Sequence, residues 1–308
     1  MPVSINRTRR KEKTLVNRNL FFFRPAKVLV IVLLCIASLL TGCSLPRSVT
    51  TDGATVEIEL NTVPFFPQEE YQCGPAALAA LLVSSDVVTL PDLLSPALYI
   101  PKRHGTLQLE MIASIRSFNR VPYQLRPEVD DIVGELRAGR PVLVLQNLGL
   151  NIWPVYHYAV VIGVLRNGSL ILRSGTTERL IIERDTFLNS WEKAGQWAMV
   201  ALKGNELPAD HDLARYLSAV SRIEAIGNSQ LAEECYKTVL TRHPYNDLAV
   251  FGLANTMFAQ ANFTAAATFY SYLLRRDPTR AEAANNLAES LAALHCYQLA
   301  IELLDRFL

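Results

Sequence analysis

The 308-residue sequence lacks several things that would narrow its chemistry at once. No glycine loop has phosphate-cradling or dinucleotide spacing, and no set of histidines and cysteines has metal-ligand spacing, so nothing calls for a cofactor. Net charge is almost absent, with 30 Lys and Arg against 29 Asp and Glu, or +1 overall. That balance hides an asymmetry. Residues 1–42 hold eight bases and the single acid Glu12, a net +7 that leaves the remainder at −6. An acidic body excludes nucleic acid as the expected partner, because phosphate binding needs clustered Lys and Arg. A long hydrophobic run is also missing. The run Val28–Leu40 has thirteen residues, short of the about 20 that span a bilayer comfortably.

What is there begins with that run. Thirteen apolar residues behind a basic flank suit the apolar region of a secretory signal. They lead into Leu40-Thr41-Gly42-Cys43-Ser44, which resembles the bacterial lipoprotein signal. The resemblance implies cleavage before Cys43, lipid on Cys43, and residues 1–42 as the signal peptide. Ser44 after the lipidated cysteine implies the outer membrane facing the periplasm, so the expected location is the cell envelope. Residues 43–62 then read as a lipidated tether that ends in a strand.

From Val63 to about residue 205 helical and strand patterns mix. "GPAALAALLVSS" is an apolar helix with Pro75 near its first turn, "LQLEMIASIRSF" has helical spacing, and "EVDDIVGELRAG" is an acid-led helix ended by glycine. "PVLVLQN", "YHYAVVIGVLR", "SLILRSG" and "QWAMVALK" read as strands, the middle two forming a hairpin over Arg166-Asn167-Gly168. Helices first and antiparallel strands later predict an α+β domain.

Residues 211–308 turn helical and repeat. Slid by 34 positions, Ala232, Ala266 and Ala300 superpose, as do Tyr236 with Tyr270, Pro244 with Pro278 and Leu253 with Leu287. The period and the small residues resemble tetratricopeptide repeats, which implies an all-α superhelix of about three helix pairs with a groove for a protein partner. The pairs are expected at roughly 211–226 with 229–242, 247–260 with 263–276 and 281–294 with 297–308.

Of the five cysteines, Cys35 leaves with the signal and Cys43 carries lipid. Of Cys73, Cys235 and Cys296, Cys73 is the candidate to remain a free, reactive thiol. It stands where "PQEEYQCGPAALAALL" passes from turn to helix. A thiolate at a helix N-terminus is favoured by the helix dipole, and a histidine completes an ion pair. His157, entering an apolar strand 84 residues later, is a better placed partner than His104 in its loop. Gln68, five residues upstream, can reach an oxyanion beside the Cys73 amide. Trp153 and Tyr156 either wall a cleft or join a structural aromatic cluster.

"FPQEEYQCGPAALAALL" with "HYAVVIGV" resembles the bacteriocin-processing, double-glycine family of papain-like cysteine peptidases, over roughly residues 63–203. The resemblance implies a papain-like fold, Cys73 as nucleophile, His157 as general base and acid, Gln68 as oxyanion donor, and a peptide or protein substrate. Two departures stand out. The family's glutamine is commonly six residues before its cysteine, not five. Its orienting aspartate, 16 residues after the histidine, falls on Arg173, leaving Ser174 or Asn147 as candidate third members. The expected activity is hydrolysis of a peptide or isopeptide amide through a Cys–His acyl-enzyme, with a Cys73 pKa well below about 8.5. The alternative is a non-catalytic, lipid-anchored adaptor that binds peptides. A cell-wall amidase of the NlpC type would read Asp-Cys-Ser-Gly at the nucleophile, which "QCGP" does not; transglutaminase-like acyl transfer would use the same residues.

Overall fold

Residues 55–67, 72–103 and 105–307 are described by the computed structural model. Strand β1 (Val56–Glu59) is followed by helices α1 (Cys73–Val83), α2 (Pro91–Leu98) and α3 (Gln108–Ser117). Then come β2 (Val121–Gln124), α4 (Val129–Arg137), β3 (Val142–Asn147), β4 (Tyr156–Leu165), β5 (Leu170–Ser174), β6 (Thr177–Ile182), α5 (Arg184–Glu192) and β7 (Ala198–Leu202). The strands form one seven-stranded antiparallel sheet in the order β2-β7-β3-β4-β5-β6, with β1 added on β4. β3 pairs with β4 from Asn147↔Tyr156 to Val142↔Val161, and β1 continues along β4 from Glu59↔Gly163.

The strand expected at the end of the 43–62 tether is therefore β1, and it belongs to the sheet. Pairing with β4 satisfies backbone groups that a free tether would leave to water. The hairpin expected over Arg166-Asn167-Gly168 is β4–β5, closed by the Leu165 amide on the Ser169 carbonyl at 2.8 Å. Gly168 takes a φ of +84°, which the turn requires and which costs glycine nothing.

β4 explains its own apolar run. Tyr158, Val160 and Ile162 face one core, where α1, α2 and α3 supply Leu78, Leu82, Leu98, Met111 and Ile115. Ala159 and Val161 face a second core with Ile132 and Leu136 of α4 and Phe187 and Trp191 of α5. A strand covered on both faces has no polar alternation to display. α1 is likewise buried from Gly74 to Leu82, which suits a helix apolar all round.

Six further helices complete the chain: α6 (Leu213–Ala225), α7 (Ser229–Arg242), α8 (Asp247–Ala259), α9 (Phe263–Arg276), α10 (Ala281–Ala293) and α11 (Tyr297–Leu304). Each packs on the next. The superposing residues Ala232, Ala266 and Ala300 are buried, as are Tyr236, Tyr270, Leu253 and Leu287. The 34-residue period also governs caps. Asp212 and Asn246 cap α6 and α8, Asn228 and Asn262 cap α7 and α9, each accepting from a backbone amide. The third copy places Arg280 and Cys296 there, without a side-chain cap bond.

The sheet domain and the helices share one apolar core, in which Tyr123 and Val200 join Tyr216, Val220 and Val239. The "GNELPAD" segment between them is tied down rather than free. Its Ala209 amide donates to Glu135 at 2.8 Å, and Tyr123 donates to Asp210 at 2.7 Å.

Candidate active site

α1 begins at Cys73 because the chain supplies a helix-compatible proline at Pro75 and a run of Ala and Leu behind it. No side chain caps the start and no acid lies in the first turn. The first-turn amides are thus free to serve the sulfur. The backbone amides of Tyr158, Gly74 and Cys73 itself work to lower the Cys73 pKa. Tyr158 follows His157, so one of these amides belongs to the peptide that joins those two residues.

Close packing makes this seat. A Cβ on Gly74 would meet Thr106 Oγ1 at 2.4 Å, which leaves no room for a side chain beside Cys73. The Thr106 carbonyl in turn accepts from the Tyr158 hydroxyl at 3.4 Å. The ring of Tyr158 stacks edge-on against Trp197, with centroids 5.8 Å apart, which fixes this stretch of β4 under α1.

Burial pushes the Cys73 thiol up from its ordinary range, and the three amides offset only part of that rise. This is opposite to the depressed value expected from the sequence. The reason is physical: among the described residues no cation acts on half-buried Cys73, and burial also pushes His157 below the ordinary imidazole value. Two groups that both resist charging rest as thiol and neutral imidazole.

His157 lies opposite Gln146 of β3, and its Nε2 sits 2.9 Å from Ser174 Oγ on β5. No hydrogen bond links its ring to the Cys73 sulfur among the described residues. Ser174, one of the two candidate third members, is therefore brought to the histidine. Asn147 is not. Its Oδ1 accepts from the Gly149 and Val155 amides at 3.0 and 2.9 Å, closing the β3–β4 loop. Asn147 pairs with Tyr156, one residue before His157, and pleating turns successive side chains to opposite faces.

Arg173 stands where the resemblance places a carboxylate. Its buried guanidinium donates to the carbonyls of Val63, at 3.0 Å, and Glu178, at 2.6 Å, so it secures the approach to the site instead of orienting His157. Gln68 and the lipidation residue Cys43 lie outside the described residues, as does His104.

Trp153 and Tyr156 are exposed, which rules out a buried structural aromatic cluster. They belong to the loop of residues 148–155 and its junction with β4, where Leu148, Leu150, Ile152 and Val155 are exposed as well. The loop is ordered by its own bonds: Leu148 and Trp153 donate backbone amides to Val155 and Leu150. An apolar, uncharged lip thus stands immediately before His157.

Sequence reasoning missed three contributors. The Tyr158 amide favours the Cys73 thiolate, and its position beside His157 was the available signal. Thr106 has no sequence signal, because its contact with Gly74 is tertiary. Gln146, buried opposite His157, donates to Ser190 Oγ at 2.7 Å; pairing "PVLVLQN" with "YHYAVV" would have placed it.

No family model and no curated protein matches the chain. Among solved structures, a protein described as a C39-like peptidase from Bacillus anthracis aligns with 47% of this chain and 97% of its own, at 17% identity and a TM-score of 0.41. The peptidase domain of Streptococcus ComA, a bi-functional ABC transporter of a quorum-sensing pathway, aligns with 46% of this chain and 98% of its own, at 19% identity and a TM-score of 0.38.

Proposed function

We propose that the protein is a cysteine peptidase with Cys73 as nucleophile, His157 as base and acid, and Ser174 as the residue that holds the imidazole. The supporting observation is Cys73 at a helix start, with the Tyr158 amide next to His157 among those that favour its thiolate, and His157 Nε2 at 2.9 Å from Ser174 Oγ. With Nε2 facing Ser174, Nδ1 is the nitrogen left for the thiol proton, which it reaches when the ring turns from the Ala159–Val161 face of β4 to the α1 face. The resulting thiolate attacks the substrate carbonyl carbon. The Cys73 amide at the helix N-terminus, joined by the Gln68 side chain, holds the oxyanion. Collapse breaks the C–N bond as His157 protonates the leaving amine, and water then hydrolyses the thioester with His157 as base. The fold under this reading is papain-like.

The apolar lip from Leu148 to Tyr156 adjoins the histidine and suits a substrate with large apolar residues near the scissile bond. Helices α6–α11 fit a tetratricopeptide array that binds a protein partner, on the strength of the 34-residue period in both core residues and caps. Lipid on Cys43 would tether the enzyme to a membrane of the cell envelope.

A thiol-directed acyl probe tests the mechanism. Wild type should acylate at Cys73, Cys73→Ala should not, and His157→Gln should acylate at least about 100-fold more slowly. Equal labelling of wild type and His157→Gln would overturn it. The raised thiol pKa and the missing carboxylate favour a second reading, a peptide-binding adaptor without turnover. That reading predicts peptide binding that survives Cys73→Ala and no cleavage by wild type.

A further inference from the structure

A second cleft opens between α3, the edge strand β2 and α6, on the opposite flank of the sheet from β6. Its volume is about 290 Å³, and its lining includes Arg116, Arg215, Arg222, Ser218 and Gln124. On α6, Arg215, Ser218 and Arg222 lie at i, i+3 and i+7 and so share one face. Arg116, in the last turn of α3, meets that face from across the cleft. Among the described residues no carboxylate lines the cleft, though Asp210 and Asp212 stand behind its Tyr123 and Arg215.

The three guanidinium groups are poorly compensated. Arg215 reaches Asp212 of its own helix start at 3.3 Å. Arg116 and Arg222 form no ion pair among the described residues, and Arg116 Nε is buried without any partner. Burial and the nearby charge of Arg222 both push the Arg116 pKa down. Like charges gathered around a buried unpartnered donor leave a deficit that a single anion would fill. Guanidinium forks match carboxylate and phosphate oxygens two at a time.

We propose that this cleft binds a small oxyanion, a carboxylate or phosphate group, clamped between the sheet domain and the first repeat helix. The volume lies at the lower end of the about 300–1,000 Å³ usual for ligand pockets, so it admits one compact anion or the anionic end of a small molecule. A larger cleft of about 390 Å³ beside Asn119 and Lys203 differs in kind, because Lys203 pairs with Asp86 and Arg120 with backbone carbonyls. Its cations are already satisfied.

Calorimetric titration of the protein with inorganic phosphate and with succinate, at fixed ionic strength, tests the proposal. Wild type should show saturable binding of at least one of them, with a rise in melting temperature that grows with anion concentration. Arg116→Met and Arg222→Met should each weaken binding by about tenfold or more, and Arg137→Met, an exposed arginine paired with Glu57 elsewhere, should not. Arg222 is exposed, so its variant remains informative should Arg116→Met fail to fold. Phosphate alone or succinate alone binding would each support an oxyanion site and name its preference. No saturable binding of either, or binding unchanged in the Arg222 variant, would overturn it.

Discussion

His157 Nε2 and Ser174 Oγ lie 2.9 Å apart on neighbouring strands β4 and β5, so the partner of the imidazole is a neutral hydroxyl. A neutral hydroxyl fixes the ring and its tautomer but gives an imidazolium little help. Ser174→Ala should remove a bond worth about 1 kcal/mol and slow acylation of Cys73 roughly fivefold. Ser174→Asp should do the reverse to the ring's charge, raising the His157 pKa by about 1–3 units, read by imidazole NMR titration. An unchanged titration in the aspartate variant would remove Ser174 from its orienting place.

The site's pH dependence follows from burial of both groups. Native Cys73 keeps its proton where the unfolded thiol, at about 8.5, has lost it, so stability falls as pH rises past that value. Native His157 stays neutral where the unfolded imidazole, at about 6.5, takes a proton, so stability falls as pH drops through that value. Urea midpoints measured from pH 5 to 10 should therefore peak between them. Cys73→Ala should flatten the alkaline limb and His157→Gln the acid limb. Alkylation of Cys73 should still be accelerating above about pH 8.5; a plateau near neutrality would mean a preformed ion pair.

Gly74 is where α1 meets its support. In Gly74→Ala the new Cβ would sit 2.4 Å from Thr106 Oγ1 and 2.7 Å from Thr106 Cβ, so α1 or the segment before α3 must move. The expected loss is about 1–3 kcal/mol in urea denaturation, with slower probe acylation as the sulfur leaves the Tyr158 amide. A wild-type midpoint would mean that Thr106 yields without cost.

The run of successive packed helices from Leu213 was legible because one period wrote itself into several columns at once. Ala232, Ala266 and Ala300 are packing positions, and small residues there are what helix contact demands. The strands from Val142 to Ser174 were legible from β-branched runs and one turn. β2 and β6 were not: four residues, "VPYQ", carry too little pattern, and "TERLII" alternates weakly at the sheet's edge. At the site, Cys73 and His157 could be named from local signals, a helix start and a strand start. The side chain that meets the ring could not, since Ser174 and Asn147 both neighbour His157 in a strand-level picture. Only register separates them, placing Ser174 on the ring and turning Asn147 into the loop.

That separation yields the final prediction. Asn147→Ala should strip the Gly149 and Val155 amides of their acceptor and loosen the 148–155 loop, at a cost of about 1–3 kcal/mol. The His157 titration should not move, because Asn147 does not touch the ring. Trp153→Ala should behave in the opposite way. Its side chain is 75% exposed, so stability should stay within about 0.5 kcal/mol of wild type. Removing it takes an apolar contact from the lip beside His157, which should raise KM for a peptide with large apolar residues while leaving kcat unchanged. Should Trp153→Ala leave KM unchanged and Asn147→Ala shift the imidazole titration, the lip would lose its role in substrate binding and Asn147 would regain its claim to orient His157.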